Sequence, residues 1–195
     1  MRIAILGAGP SGMLAAHAVA QCGYTFKIFD KSPDKLRRNA GVFYLHDACD
    51  LTLRPYTIEQ TVLGAYGLAE DVIAKLYGQK VYGDAKISKV SIMSALKVRQ
   101  ITAYNAFEGL QRLWDLYDEN IVQKSIDSFR DVTRLLDDYD SVISTIPIYV
   151  LFPSLELQFR DTWIKVTEAP KEDLFIFYSI SPCHDWYRSS AMFGT

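Results

Sequence analysis

The segment Gly7-Ala8-Gly9-Pro10-Ser11-Gly12 spaces its three glycines as dinucleotide-binding turns do. Gly7 permits the tight bend, Gly9 lets a pyrophosphate approach the backbone, and Gly12 lets the following helix pack on the preceding strand. The free N–H groups and the positive dipole end of that helix would then face the phosphates. We therefore predict that residues 7–12 bind the pyrophosphate of a dinucleotide.

An acid, Asp30, ends the next apolar stretch roughly 20 residues after the last glycine, which is the spacing expected of a ribose-binding carboxylate. Such a carboxylate accepts hydrogen bonds from both ribose hydroxyls and repels a 2′-phosphate. This acid therefore disfavours NADP and leaves FAD and NAD as candidate cofactors. We place its neighbour Lys31 in the same cofactor site.

Two further segments carry side chains suited to charge stabilisation or proton transfer. Arg37 and Arg38 follow the ribose acid and could donate charged hydrogen bonds to a phosphate or to the carbonyl edge of a flavin, although a solvated basic turn explains them equally well. His46, beside Asp47, could move a proton near neutral pH. A histidine next to an aspartate is more often a surface pair in a turn, so His46 is only a candidate catalytic residue.

Hydrophobic periodicity predicts the elements that hold these residues in place. Strands are predicted over 3–6, 24–29, 42–45, 120–126, 140–146, 160–167 and 174–180, with short strands between 80 and 102. Helices are predicted over 13–20, 69–76 and 104–117, with a short helix or an extended linker over 128–136. The order predicts an α/β fold, a doubly wound, mainly parallel nucleotide-binding sheet with a small β-rich insertion or appendage of antiparallel character. Residues 1–45 and 103–150 would form the FAD- or NAD-binding domain, and residues 46–102 and 151–195 a small substrate-side subdomain.

The composition narrows the class of protein. The chain has 195 residues, 49% hydrophobic and 23% charged, with a net charge of −2, so no positive charge favours nucleic acid or an anionic membrane as partner. Three widely spaced cysteines, Cys22, Cys49 and Cys183, argue against a disulfide framework or a zinc site. No segment has the length of a membrane span, and glycines interrupt the apolar start before a signal peptide could form. We expect a cytoplasmic protein that binds no metal.

Three parts of the chain resemble the FAD-binding fold shared by amine oxidases, aromatic hydroxylases and UDP-galactopyranose mutases. The glycine turn with Asp30 is similar to the pyrophosphate and ribose motif of that fold, and Pro10 matches a proline common in its FAD members. Residues 37–42 stand where these proteins carry an arginine or a glycine pair near the flavin. Residues 139–147, Tyr-Asp-Ser-Val-Ile-Ser-Thr-Ile-Pro, resemble the late strand that returns the chain to the nucleotide domain. The resemblance implies FAD as cofactor, with Arg38 and Ile146 among the residues that bind it.

The chain also departs from that family. Asn39-Ala40-Gly41 replaces the usual glycine pair, and the substrate domain between the nucleotide sections is reduced. No Gly-Asp turn and helix follow Arg188, where such flavoproteins support the flavin pyrophosphate. A truncated chain and a nucleotide site that never completes a flavin site both explain this ending.

The segment 184–188 has the densest set of chemically active side chains, His184, Asp185, Trp186, Tyr187 and Arg188. In the mutases that the chain resembles, a late arginine after an aromatic residue contacts substrate or flavin, which makes Arg188 a second candidate catalytic residue. A polar loop anchored by aromatic rings is an equally good interpretation.

The expected function is that of an FAD-binding oxidoreductase, similar to the mutases, with a small-molecule substrate. An NAD-dependent dehydrogenase would use the same adenine-binding motif. A non-catalytic nucleotide-binding or interaction module, derived from a flavoprotein, would explain the departures from the family. A second copy of the chain or another partner chain would cover the apolar face left by a missing C-terminal helix.

Overall fold

The computed structural model describes residues 1–32, 44–45, 54–83, 99–156, 165, 167–168, 170 and 174–192. Within these residues the strands are β1 (Arg2–Leu6), β2 (Thr25–Asp30), β3 (Tyr44–Leu45), β4 (Pro55–Leu63), β5 (Arg99–Asn105), β6 (Ile121–Gln123), β7 (Ser141–Ser144), β8 (Phe175–Ser179) and β9 (Arg188–Ala191). The helices are α1 (Pro10–Gln21), α2 (Glu70–Tyr82), α3 (Ala106–Tyr117), α4 (Phe129–Leu135) and α5 (Ile148–Leu151). The chain divides into a first compact unit, Met1–Gly41 with Phe107–Lys165, and a second, Val42–Ala106 with Val166–Thr195.

The first unit contains a sheet of four parallel strands in the order β6-β2-β1-β7. In β1, Leu6 lies opposite Phe29 of β2 on one side and Ser144 of β7 on the other. Residues 3–6 are all buried, as a continuous apolar run in the centre of a parallel sheet requires. The chain passes from β1 to β2 on one side and returns as β7 on the other, so the strand order reverses at β1. The predicted α/β class with a parallel sheet is confirmed.

Helix α1 connects β1 to β2. The residues at its two ends favour the start and the termination of a helix. Pro10 lies in the first turn of α1, where the fixed φ angle of proline suits a helix. Proline has no N–H, but an N–H at this position would have no partner within the helix. Met13, Ala16 and Val19 are buried on one side of the helix. Gly23 follows with a φ of +75°, a left-handed conformation that glycine adopts readily after a helix.

The helix predicted over 104–117 is confirmed as α3 from residue 106 onward, whereas residues 104 and 105 end β5. The large buried side chains of α3 are Leu110, Leu113, Trp114 and Tyr117. The Tyr117 ring packs edge-on against Phe26 of β2 at a centroid distance of 5.2 Å. The Tyr117 hydroxyl also shares a 3.0 Å hydrogen bond with His17 Nδ1, which joins α3 to α1.

Residues 129–135 form helix α4 rather than an extended linker. Ser128 caps it, since Ser128 Oγ accepts a hydrogen bond from the Asp131 N–H and donates one to the Asp131 carboxylate at 2.8 Å. This side-chain bond is the main reason that the pKa of Asp131 lies below its ordinary value.

The second unit contains a mixed sheet of five strands in the order β3-β5-β4-β8-β9. β4 is antiparallel to β5 and parallel to β8, and β8 is antiparallel to β9. Helix α2 contributes to the core of this unit, whose buried members are Ile58, Ala74, Tyr77, Ile101, Ala103, Ile176, Tyr178, Ile180 and Met192. Burial raises the pKa of Tyr77 above its ordinary value, and the neighbouring Tyr178 raises it further.

The predictions about the second unit have mixed outcomes. Of the short strands predicted between 80 and 102, residues 99–102 are confirmed as part of β5, whereas residues 80–82 end α2. Residues 84–98 lie outside the described part of the chain. No element was predicted over 55–63, whose pattern does not alternate clearly. These residues form the nine-residue β4, which is bonded on both edges and buries Gln60 as well as apolar residues. With five strands against four, the mixed sheet is larger than the small appendage predicted.

The strands predicted near the carboxyl end have different outcomes. The strand over 174–180 is confirmed as β8, but it is parallel to β4 as well as antiparallel to β9. Of the alternating strand predicted over 160–167, residues 165 and 167 are described and are not in a strand. Arg188, predicted to end a loop, begins β9.

Three properties of the described residues bear on the class of protein. Cys22 and Cys183 are free and exposed, whereas Cys49 lies outside the described ranges. No helix in the described part of the chain combines the length and apolarity needed to cross a membrane. Nor do the described residues bring together three His, Cys, Asp or Glu side chains that could hold a metal ion.

Candidate functional site

Gly7 forms the bend at the carboxyl end of β1, and the fold requires glycine there. Its φ is +94°, which strains any residue with a Cβ atom. A Cβ built on Gly7 would lie 2.8 Å from Thr145 Oγ1 and 3.1 Å from Ile146 Cγ2. The bend itself is held by a 2.8 Å hydrogen bond from the Gly7 N–H to the carbonyl of Phe29 in β2.

Gly12 lies in the first turn of α1, and packing alone requires glycine there. A Cβ on Gly12 would lie 1.8 Å from the Gly7 carbonyl oxygen, a separation that no rearrangement of side chains could relieve. The absence of a side chain therefore lets α1 begin directly against the end of β1.

Gly9 differs from both, because nothing in the fold requires glycine at this position. Its φ of −70° and ψ of −179° are available to any residue. A Cβ on Gly9 would meet no atom of the described residues within 4 Å. Within that part of the chain, the middle glycine of the turn thus faces open space.

The start of α1 offers backbone donors and a positive dipole end. Gly9 is the N-cap residue and makes no side-chain capping bond, and the first turn contains no acidic residue. The Met13 N–H already bonds to the Gly9 carbonyl at 3.0 Å, which leaves the N–H groups of Ser11 and Gly12 without a partner inside the helix. An anion placed beside Gly9 would therefore meet N–H groups that make no hydrogen bond within the helix.

Asp30, half-buried at the end of β2, connects its carboxylate to the glycine turn. Asp30 Oδ2 accepts a 2.8 Å hydrogen bond from the Ala8 N–H, and Oδ1 accepts one of 2.7 Å from the Ser32 N–H. A carboxylate has about four acceptor positions, so two of them remain for a ligand. The acid thus fixes the turn and keeps capacity to accept further hydrogen bonds.

β7 ends beside the turn and brings two residues to it. Thr145 belongs to the segment 139–147, but the sequence did not predict it as a site residue. It donates from its hydroxyl to the Leu6 carbonyl at 2.7 Å and from its N–H to the same oxygen at 2.9 Å. Ile146 packs against the buried cluster that includes Leu6 and Phe29. Ile146, itself partly buried, therefore supports the turn from the edge of the core.

Of the remaining candidates, Lys31 and Arg188 lie in the described part of the chain. Lys31 is exposed beside Asp30. Arg37, Arg38 and His46 lie outside the described residues. Arg188 belongs to the second unit, where its guanidinium carbon lies 5.9 Å from the centroid of the Tyr178 ring.

His184 and Trp186 take part in a network of the second unit that the sequence did not predict. Lys80 Nζ donates to the carbonyls of Ser181 and His184 at 2.7 and 2.8 Å. Ser179 Oγ, which has no exposed surface, lies 2.7 Å from His184 Nδ1. The His184 ring stacks on Trp186 at a centroid distance of 4.7 Å. Because Ser179 is inaccessible to an external substrate, these contacts fix the loop after β8 and do not form a nucleophilic site.

Comparison of the sequence with known proteins does not assign the chain to a family. No family model matches the chain, and no curated protein is significantly similar to it in sequence.

Proposed function

We propose that the first unit binds the ADP half of a dinucleotide and that this dinucleotide is FAD. Gly9 is the observation that carries the proposal. It stands between two glycines that the fold requires, yet neither its backbone angles nor the described residues around it require glycine. The close approach of a ligand to the backbone is a physical reason for a residue without a side chain at that position.

The place of the turn in the sheet supports the same proposal. Ligands of open parallel sheets bind outside the carboxyl ends of the strands, where the strand order reverses. Here the order reverses at β1, and the turn that follows Leu6 lies beside the end of β7. This topology is the one expected of a doubly wound nucleotide-binding sheet.

Asp30 favours a ribose with free hydroxyls. Its two remaining acceptor positions match the two hydroxyl donors of an adenosine ribose, whereas a 2′-phosphate would bring negative charge against the carboxylate. We therefore expect FAD or NAD to bind and NADP to be rejected.

The choice of FAD over NAD rests on the resemblance of Pro10 and residues 139–147 to flavoproteins. A bound flavin would supply electron and hydride transfer, so the chain would act as an oxidoreductase on a small molecule. The chain's own residues would hold the cofactor: donors at the start of α1 for the pyrophosphate and Asp30 for the ribose.

The test is calorimetric titration of the purified protein with FAD, NAD, NADP and ADP. FAD and ADP should bind and NADP should not, and Asp30→Asn should weaken FAD binding at least tenfold. Asp140→Asn is the matched control, because Asp140 Oδ2 also accepts a backbone hydrogen bond, from the Arg2 N–H at 2.7 Å, at the opposite end of β1.

Three outcomes would count against the proposal. Failure of every dinucleotide to bind would refute it, as would equal loss of affinity in Asp30→Asn and Asp140→Asn. If NAD binds and FAD does not, the proposed dinucleotide site stands, but its cofactor is a nicotinamide dinucleotide and not a flavin.

A further inference from the structure

Thr145 contacts the glycine turn from the end of β7. Its hydroxyl donates to the Leu6 carbonyl at 2.7 Å and lies 3.4 Å from the Gly7 carbonyl oxygen. Its N–H donates to the same Leu6 oxygen at 2.9 Å, which continues the β1–β7 pairing by one residue. The last carbonyl of β1 thus receives two hydrogen bonds from one residue.

The same hydroxyl occupies the space that side chains on two glycines would need. A Cβ on Gly7 would lie 2.8 Å from Thr145 Oγ1, and a Cβ on Gly12 would lie 3.1 Å from it. The Thr145 hydroxyl therefore lies beside both the bend and the first turn of α1.

Thr145 completes a set of restraints that reaches the turn from both neighbouring strands. On the β2 side, the Phe29 carbonyl holds the Gly7 N–H and the Asp30 carboxylate holds the Ala8 N–H. On the β7 side, Thr145 holds the Leu6 carbonyl. Peptide groups on either side of Gly7 are thereby fixed before any ligand arrives, and such preorganisation raises affinity by reducing the entropy lost on binding.

We infer that Thr145 is a positioning residue of the dinucleotide site, which rests on the proposed function above. It does not touch the ligand. It fixes the direction of the Leu6 and Gly7 peptides, and through them the direction in which Gly9 and the start of α1 face the pyrophosphate. The hydroxyl group, rather than the methyl group, carries this role.

The test compares Thr145→Val, which removes the hydroxyl but keeps the branched shape, with Thr145→Ser, which keeps the hydroxyl. Calorimetric titration with FAD and with ADP should show affinity about tenfold weaker in Thr145→Val and restored in Thr145→Ser. If Thr145→Val does not fold, Thr145→Ala takes its place in the test, because alanine removes the hydroxyl without crowding Gly7. Equal affinity in Thr145→Val and the wild type, or equal losses in the Val and Ser variants, would overturn the inference.

Amide hydrogen exchange in the free protein separates this inference from the proposed function. Thr145→Val should accelerate exchange at Gly7 and Ala8, while Thr145→Ser and Asp140→Asn should leave it unchanged. Unchanged exchange in Thr145→Val would overturn the inference whether or not a nucleotide binds. Accelerated exchange in a protein that binds no nucleotide would support Thr145 as the residue that positions the turn and refute the proposed function instead.

Discussion

At the scale of single residues, each of the three positions in the turn is glycine for a different physical reason. Gly7 is needed for its backbone angle and Gly12 for packing, whereas Gly9 is needed for neither. Sequence spacing alone treats the three as equivalent. The structure distinguishes the roles of the three glycines. Substitution of Gly9 should therefore test ligand binding without disturbing the fold.

We predict that Gly9→Ala leaves the thermal stability of the free protein unchanged but weakens FAD binding at least tenfold. The new methyl group would meet none of the described residues and would occupy the space of an approaching pyrophosphate. Gly12→Ala should instead destabilise the protein by about 3 kcal/mol or more, because a Cβ there overlaps the Gly7 carbonyl oxygen. Thermal melts and calorimetry measure both effects. Unaltered FAD affinity in Gly9→Ala would contradict the reason given for this glycine.

His184 gives a prediction about the position of a proton. The two acceptor positions of Ser179 Oγ face the Ser181 N–H at 3.2 Å and Lys80 Nζ at 3.5 Å, so its O–H is left to donate to His184 Nδ1. Neutral His184 should therefore carry its proton on Nε2. Imidazole nitrogen chemical shifts measured by NMR report the tautomer directly, and a protonated Nδ1 in the neutral ring would show that the network is oriented otherwise.

At the scale of elements, helix α4 depends on its cap. It has seven residues, too few to be stable without capping and packing, and Ser128 satisfies a donor at its start. The sequence left a helix and a linker open over 128–136. The Ser128 cap and the burial of Val132 and Leu135 explain why the helix forms.

Ser128→Ala should lower the free energy of unfolding by about 1 kcal/mol, the typical contribution of a serine cap. Thr133→Ala is the control on the same helix, since the exposed Thr133 hydroxyl donates only to the carbonyl of Arg130. That change should be neutral or slightly stabilising. Urea unfolding of both variants measures the difference, and similar effects at the two positions would show that the cap is not important.

At the scale of the whole molecule, the chain is built from two units with different sheets, one parallel and one mixed. The proposed cofactor residues with described positions lie in the first unit. The second unit holds a buried tyrosine cluster, in which the Tyr77 ring lies 5.8 Å from that of Tyr178 and 6.3 Å from that of Tyr187.

The buried Tyr77 predicts a loss of stability in alkali. Its pKa is raised in the folded state, chiefly by burial, so the native protein holds this proton more tightly than the unfolded chain does. The resulting stability is complete below the ordinary tyrosine pKa of about 10 and declines as pH rises above it. Melting temperatures between pH 9 and pH 11 should fall less steeply in Tyr77→Phe than in the wild type. Parallel declines in the two proteins would exclude Tyr77 as a cause.

The sequence by itself determined the first strand, the glycine turn, α1, β2 with its terminal acid, and β7. Each of these has a local signal, either hydrophobic periodicity or a turn residue at a fixed spacing, that needs no knowledge of distant residues. The tertiary structure alone decided which strands pair, that residues 55–63 form a strand bonded on both edges, and that Lys80 reaches the loop after β8. It also placed Thr145 against Gly7 and left Gly9 open. These features arise from contacts between residues far apart in the chain, and such contacts depend on pairing and packing that no local pattern encodes.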